Sequence, residues 1–142
     1  MNKYEIMVLA SAEKLKKALK HLSYCYDKIL VPNQPVAKMS EEELLMWEGL
    51  SARFSRVADL FLMQYIRSKV LYEDPGFEGT LRDYLNKAEK MELIDDTSDW
   101  MKIRELRNKT AHEYNEEHLG EFFALLYSYT PKLLDLKRVL KK

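Results

Sequence analysis

The sequence predicts an all-α fold, an antiparallel bundle of four main helices with a C-terminal helical extension, on three observations. Apolar residues recur at alternating spacings of three and four through long stretches, as one face of a helix requires. Glycine and proline number only four each in 142 residues, too few for turn-rich β architecture. Between the periodic stretches lie breaker and cap signals that cut the chain into helix-sized pieces.

The first predicted helix covers residues 11–30, with Leu15, Leu19, Leu22, Tyr26 and Ile29 on its apolar face and Ser11 as its cap. Lys14, Lys17 and His21 form one basic flank, Lys16 and Lys20 another. Such a surface is either a solvated face or a place for RNA to touch. Val31 to Met39, reading VPNQPVAKM, is a loop because its two prolines remove donors and restrict the residues before them. Ser40 and Glu43 then form a capping box. The helix that follows should be the longest, reaching about Tyr72. Trp47, Leu50, Phe54, Val57, Phe61, Leu62, Tyr65 and Ile66 make its wide apolar stripe, which reads as core. On it, Arg53, Arg56 and Arg67 read as solvated or ion-paired.

EDPGFEG, from Glu73 to Gly79, stops that helix with turn chemistry. Thr80 with Asp83 starts a third helix with Leu81, Tyr84, Leu85 and Ala88 inward, fading near Met91–Asp95. Thr97 or Ser98 is the expected cap of a fourth, with Asp99 in its first turn and Trp100, Ile103 and Leu106 facing the core. Asn115 should cap a fifth, whose apolar residues are Phe122, Phe123, Leu125, Leu126 and Tyr129. Pro131 either kinks this helix or begins another, which runs into the basic tail Lys137, Arg138, Lys141 and Lys142. No repeat or low-complexity segment appears, so residues 1–142 read as one domain.

Composition narrows the function. Lysine plus arginine and aspartate plus glutamate are both 23, giving zero net charge. That excludes wholesale charge-driven nucleic-acid binding and leaves a local patch. The single cysteine, Cys25, excludes an internal disulfide and a cysteine zinc site, and its apolar neighbours suggest a buried, inert thiol. The start, MNKYEIMVLASAEKL, has too short an apolar stretch for a signal peptide, and no run approaches bilayer length. The expectation is a soluble, cytoplasmic protein with no membrane contact.

The chemistry concentrates in RNKTAHEY, Arg107 to Tyr114. Arg107 offers a permanently charged planar fork for phosphate. His112 exchanges a proton near neutral pH. Asn108 can orient an imidazole or a phosphate oxygen, and Tyr114 can bond phosphate or be modified. These are the parts needed to cleave an RNA phosphodiester without a metal. In an unbroken helix, however, Arg107 and His112 point roughly 140° apart. They converge only if the helix frays or turns near Thr110–Tyr114, or if two copies meet across a dimer. The other reading of the same spacing is a helix C-terminus whose Arg and His serve the last carbonyls and the macrodipole.

RNKTAHEY resembles the R-x4-H-x-Y signature of HEPN domains, specifically the toxins of HEPN/MNT toxin–antitoxin pairs, which are relatives of the nucleotidyltransferase substrate-binding proteins. Arg107, His112 and Tyr114 fall on motif positions, and Asn108 fits the polar residue after the arginine. Leu93-Ile94-Asp95-Asp96, Trp100 and the Arg104–Arg107 run resemble the family's approach to the motif. The resemblance implies a toxin acting as a metal-independent endoribonuclease, with Arg107, Asn108 and His112 catalytic. It also implies a homodimer with the active cleft between protomers. A cognate nucleotidyltransferase antitoxin would neutralise it, in some pairs by adding AMP to the motif tyrosine, here Tyr114. Lys109, Arg104 and Lys17 are further candidates for RNA contact. The alternative is a non-catalytic helical module that binds a separate nucleotidyltransferase.

No Walker loop, G-x-G-x-x-G or H-E-x-x-H occurs, and no cofactor is expected. His21, His112 and His118 make no metal constellation by themselves. The acidic residues Asp95, Asp96 and Asp99 sit where a helix should begin, so capping accounts for them better than a metal does.

Overall fold

The computed structural model describes residues 1–109 and 114–141. The described residues form helices and loops without a strand, in agreement with the all-α expectation. Helix α1 spans Lys3–Lys28, eight residues longer at its start than the periodicity suggested. Its cap is Asn2, whose side chain accepts the Glu5 N–H at 2.9 Å. Ser11 is no cap: it is buried within the helix and donates its hydroxyl to the Val8 carbonyl at 3.0 Å. Ile6, Met7 and Leu9 remain exposed, so the first turns bury no regular stripe.

A single 3₁₀ turn, Val36–Lys38, lies in the proline loop. Helix α2, Glu41–Asp59, opens with the expected box: Glu43 N–H donates to Ser40 Oγ, and Ser40 N–H donates back to Glu43. Helical structure continues to Glu73, through a π turn at Leu60–Tyr65 and then α3, Ile66–Glu73. In that turn the Ile66 N–H reaches the Phe61 carbonyl, five residues back. The extra residue per turn lets consecutive pairs, Phe61 with Leu62 and Tyr65 with Ile66, all enter the core.

Helix α4, Leu81–Lys90, has the Thr80–Asp83 capping box. It ends with Glu92 in the left-handed region, at φ 61°. Leu93 N–H reaches the Ala88 carbonyl at 2.9 Å and Glu92 N–H the Glu89 carbonyl at 3.0 Å, the two bonds of a Schellman ending. Helix α5, Thr97–Asn108, is capped by Asp96 and not by Thr97 or Ser98. The Asp96 carboxylate accepts Ser98 N–H at 2.9 Å, while Thr97 is turned inward to Glu89 of α4.

Helix α6, Glu116–Leu134, is capped by Asn115, which accepts the His118 N–H. It runs through Pro131; the break falls four residues later at Asp135, before the short α7, Leu136–Leu140. Helix α1 packs on α2, the π turn and α3; α6 closes over α1 and α2, and α5 sits against α2, α4 and α6. Stacked rings join these layers, Trp47 on Phe123 at 5.3 Å and Tyr26 on Tyr127 at 4.6 Å, with Phe61 tilted on Trp100 at 4.7 Å. Leu125, expected on the apolar face of α6, is 49% exposed: the core side is taken by Phe122, Phe123 and Leu126. No described helix is long and apolar enough to cross a membrane.

Candidate functional site

Leu106 and Ile103 anchor the last turns of α5 in the core. That orientation turns Arg107 and Arg104, one helical turn apart, toward α2. There both meet Asp59, the last residue before the π turn. Arg107 Nε lies 2.7 Å from Asp59 Oδ1 and Nη2 lies 2.8 Å from Oδ2, a bidentate fork. Arg104 Nη1 approaches the same Oδ1 at 3.8 Å. The hydrogen bond to Asp59 holds the Arg107 guanidinium above its already high range, against the opposing effect of partial burial. All three side chains are about a third exposed, which limits the strength of the pair.

Asn108 is exposed in the final turn of α5, and Lys109 is exposed with extended backbone, its N–H closing the helix on the Leu106 carbonyl. His112 lies outside the described residues. Tyr114 is half-buried, with its ring stacked on Phe122 at 5.0 Å and 18°. Lys17 is exposed on α1. Among the described candidates, then, the structure brings together Arg104 and Arg107 through Asp59. Sequence reading missed Asp59, which stands 48 positions from its partner. The available signal was a carboxylate interrupting the apolar run Val57, Ala58, Leu60, Phe61.

The other groups have structural employment. Asp95 and Asp99 grip Lys132 of α6 at 3.0 and 3.2 Å while Asp96 caps α5, so the acidic run serves helix docking. Cys25 is buried, donates to the Met46 carbonyl at 3.2 Å, and its thiol is pushed up by desolvation. Arg53 donates to the His21 carbonyl at 2.8 Å, and Arg67 lies over the Tyr84 ring. A cleft of about 480 Å³ between the α4–α5 loop and α7 is floored by Tyr65 and Trp100, with Lys69 and Lys132 on its sides. The Trp100 indole N–H is buried there without a partner among the described residues.

These features define a helical domain whose most distinctive charged cluster is a two-arginine clamp on one carboxylate, where the R-x4-H-x-Y segment begins. Residues 10–142 match the family model described as "Nucleotidyltransferase substrate binding protein like", and the chain belongs to that family. Neither the curated proteins nor the solved structures gave a match.

Proposed function

We propose that this chain is a helical binding module that works with a separate nucleotidyltransferase. The family match supports a nucleotidyltransferase connection. The observation that carries the non-catalytic reading is the Arg107–Asp59 fork: Nε and Nη2, the donors a phosphate would need, already hold a carboxylate across two helices. In this reading α1, α2 with α3, α5 and α6 act as the four main helices of a HEPN-like bundle and present surface, not chemistry. Co-expression with a cognate nucleotidyltransferase tests it. A stable complex should form, purified chain should leave RNA intact, and His112→Ala should change neither result. Absence of any complex at micromolar concentrations would overturn the reading.

The endoribonuclease toxin is the second reading, favoured by one feature: two guanidinium groups face a single, partly exposed carboxylate, so a net positive charge is left for phosphate. Here Arg107 would leave Asp59 on RNA binding. His112 would assist proton transfer while a ribose 2′-hydroxyl attacks the adjacent phosphorus and the P–O5′ bond breaks, the 5′-oxygen leaving as a protonated hydroxyl, and Asn108 would hold the geometry. A second protomer would complete the cleft, and AMP on Tyr114 would place competing negative charge beside Arg107. This reading requires cleavage in excess EDTA with 2′,3′-cyclic phosphate ends, growth arrest that depends on His112, and adenylylation lost in Tyr114→Phe.

A further inference from the structure

Two neighbouring cavities lie where the C-terminal end of α1 meets the N-terminal half of α2. One, about 410 Å³, is lined by Tyr24, Leu45 and Met46; the other, about 250 Å³, by Leu30, Val31 and the same Met46. Leu30 is 86% exposed, Leu45 70% and Tyr24 61%. Single exposed apolar residues are ordinary, but five around two adjoining hollows make a continuous patch of the kind that marks an interaction surface. These residues are not displaced core. Helices α1 and α2 already bury Leu22, Cys25, Trp47 and Leu50 on their inner faces.

The platform beneath is fixed. Cys25 Sγ bonds the Met46 carbonyl across the two helices, the capping box sets the start of α2, and Trp47 is stacked on Phe123 below. A rigid surface loses little entropy on binding. The rim decides the occupant. Glu42 and Glu48, three residues on either side of Leu45, are exposed and have no ion-pair partner among the described residues. Arg53, on the His21 carbonyl, and Lys28, over the Tyr24 ring at 5.1 Å, line the same hollows and keep their charge, but with Glu42, Glu43 and Glu48 beside them the rim carries one excess negative charge. A two-fold dimer through this patch would bring together two rims of the same excess charge, an arrangement that like charges disfavour. An apolar segment framed by lysine or arginine satisfies both the hollows and the rim.

We propose that the Tyr24–Leu30–Val31–Leu45–Met46 surface docks the nucleotidyltransferase, through apolar side chains flanked by basic residues on that partner. This rests on the binding-module reading above. The test is titration of the intact chain with a cognate nucleotidyltransferase, with circular dichroism melts of every variant. Tyr24→Ala and Leu45→Ser should each weaken binding about tenfold or more, as anchor truncations do. Glu42→Lys combined with Glu48→Lys should weaken it and flatten its salt dependence. Leu125→Ser, an exposed position on α6, should bind like wild type. Full affinity in the Tyr24 and Leu45 variants, with wild type binding, would overturn this surface and leave the binding-module reading standing. Failure of the wild type to bind would overturn both. A homodimer that dissociates in Leu45→Ser, with nucleotidyltransferase affinity unchanged, would assign the patch to a second copy and overturn the proposal. The altered side chains are solvent-facing; if one variant unfolds, the remaining variants decide.

Discussion

Asp59 answers to two arginines, and its replacement separates their roles. Asp59→Asn keeps the shape but removes the charge that Arg107 grips at 2.7 and 2.8 Å. Because the pair is about a third exposed, screening holds the stability loss to roughly 1 kcal/mol or less. The released guanidinium groups should then bind a short single-stranded RNA more tightly at low salt, read by fluorescence anisotropy. If affinity is unchanged in the folded variant, Arg107 is a staple between α2 and α5 and takes no part in phosphate recognition. Either outcome is informative because Arg107 can serve a carboxylate or a phosphate with the same planar fork, but not both at once.

Helix ends show the same economy of local means. Four starts are capped by side chains at the residue before the helix: Asn2, Ser40, Thr80 and Asn115. Asp96 adds a fifth, and it displaces the two hydroxyl residues after it because its carboxylate reaches both the Ser98 and Asp99 N–H groups. The end of α4 is the locally unfavourable one. Its Schellman ending puts Glu92 at φ 61°, where an L side chain crowds its own backbone and glycine does not. Glu92→Gly should therefore stabilise the protein, by about 0.5–1 kcal/mol after the extra unfolded-state entropy of glycine is counted. Urea denaturation at constant m-value measures this. A loss of stability would mean that the Glu92 side chain, on the wall of the 480 Å³ cleft, makes a contact worth more than the backbone strain.

At the scale of the molecule, Lys132 ties α6 to the start of α5. Burial alone would lower its pKa, but hydrogen bonds to Asp95 and Asp99 outweigh that and raise it. Asp95 is correspondingly lowered, chiefly by the Lys132 hydrogen bond. A carboxylate whose folded pKa lies below its unfolded value of about 4 contributes stability above that value and loses it as pH falls through the folded pKa. The melting advantage of wild type over Lys132→Met should thus be flat from about pH 5 to 8 and shrink below about pH 4. An advantage that persisted undiminished at low pH would assign the role of Lys132 to its ammonium over the Trp100 ring, 5.9 Å from the centroid. The helices and most of the core were legible in the sequence because helix periodicity, capping boxes and proline loops act over a few residues: Trp47, Phe54, Leu85 and Ile103 were readable as buried from spacing alone, and all are. Of the candidate site, Arg107, Asn108, His112 and Tyr114 could be singled out because they are neighbours in the chain. What only the tertiary structure decided depends on distance along the chain. Asp59 meets Arg107 across 48 positions, Cys25 bonds Met46 across 21, and Leu125 faces solvent because Phe122, Phe123 and Leu126 win the core side of α6. Local pattern fixes which face of a helix is apolar, whereas packing against other helices decides which charges meet and which apolar residues stay outside.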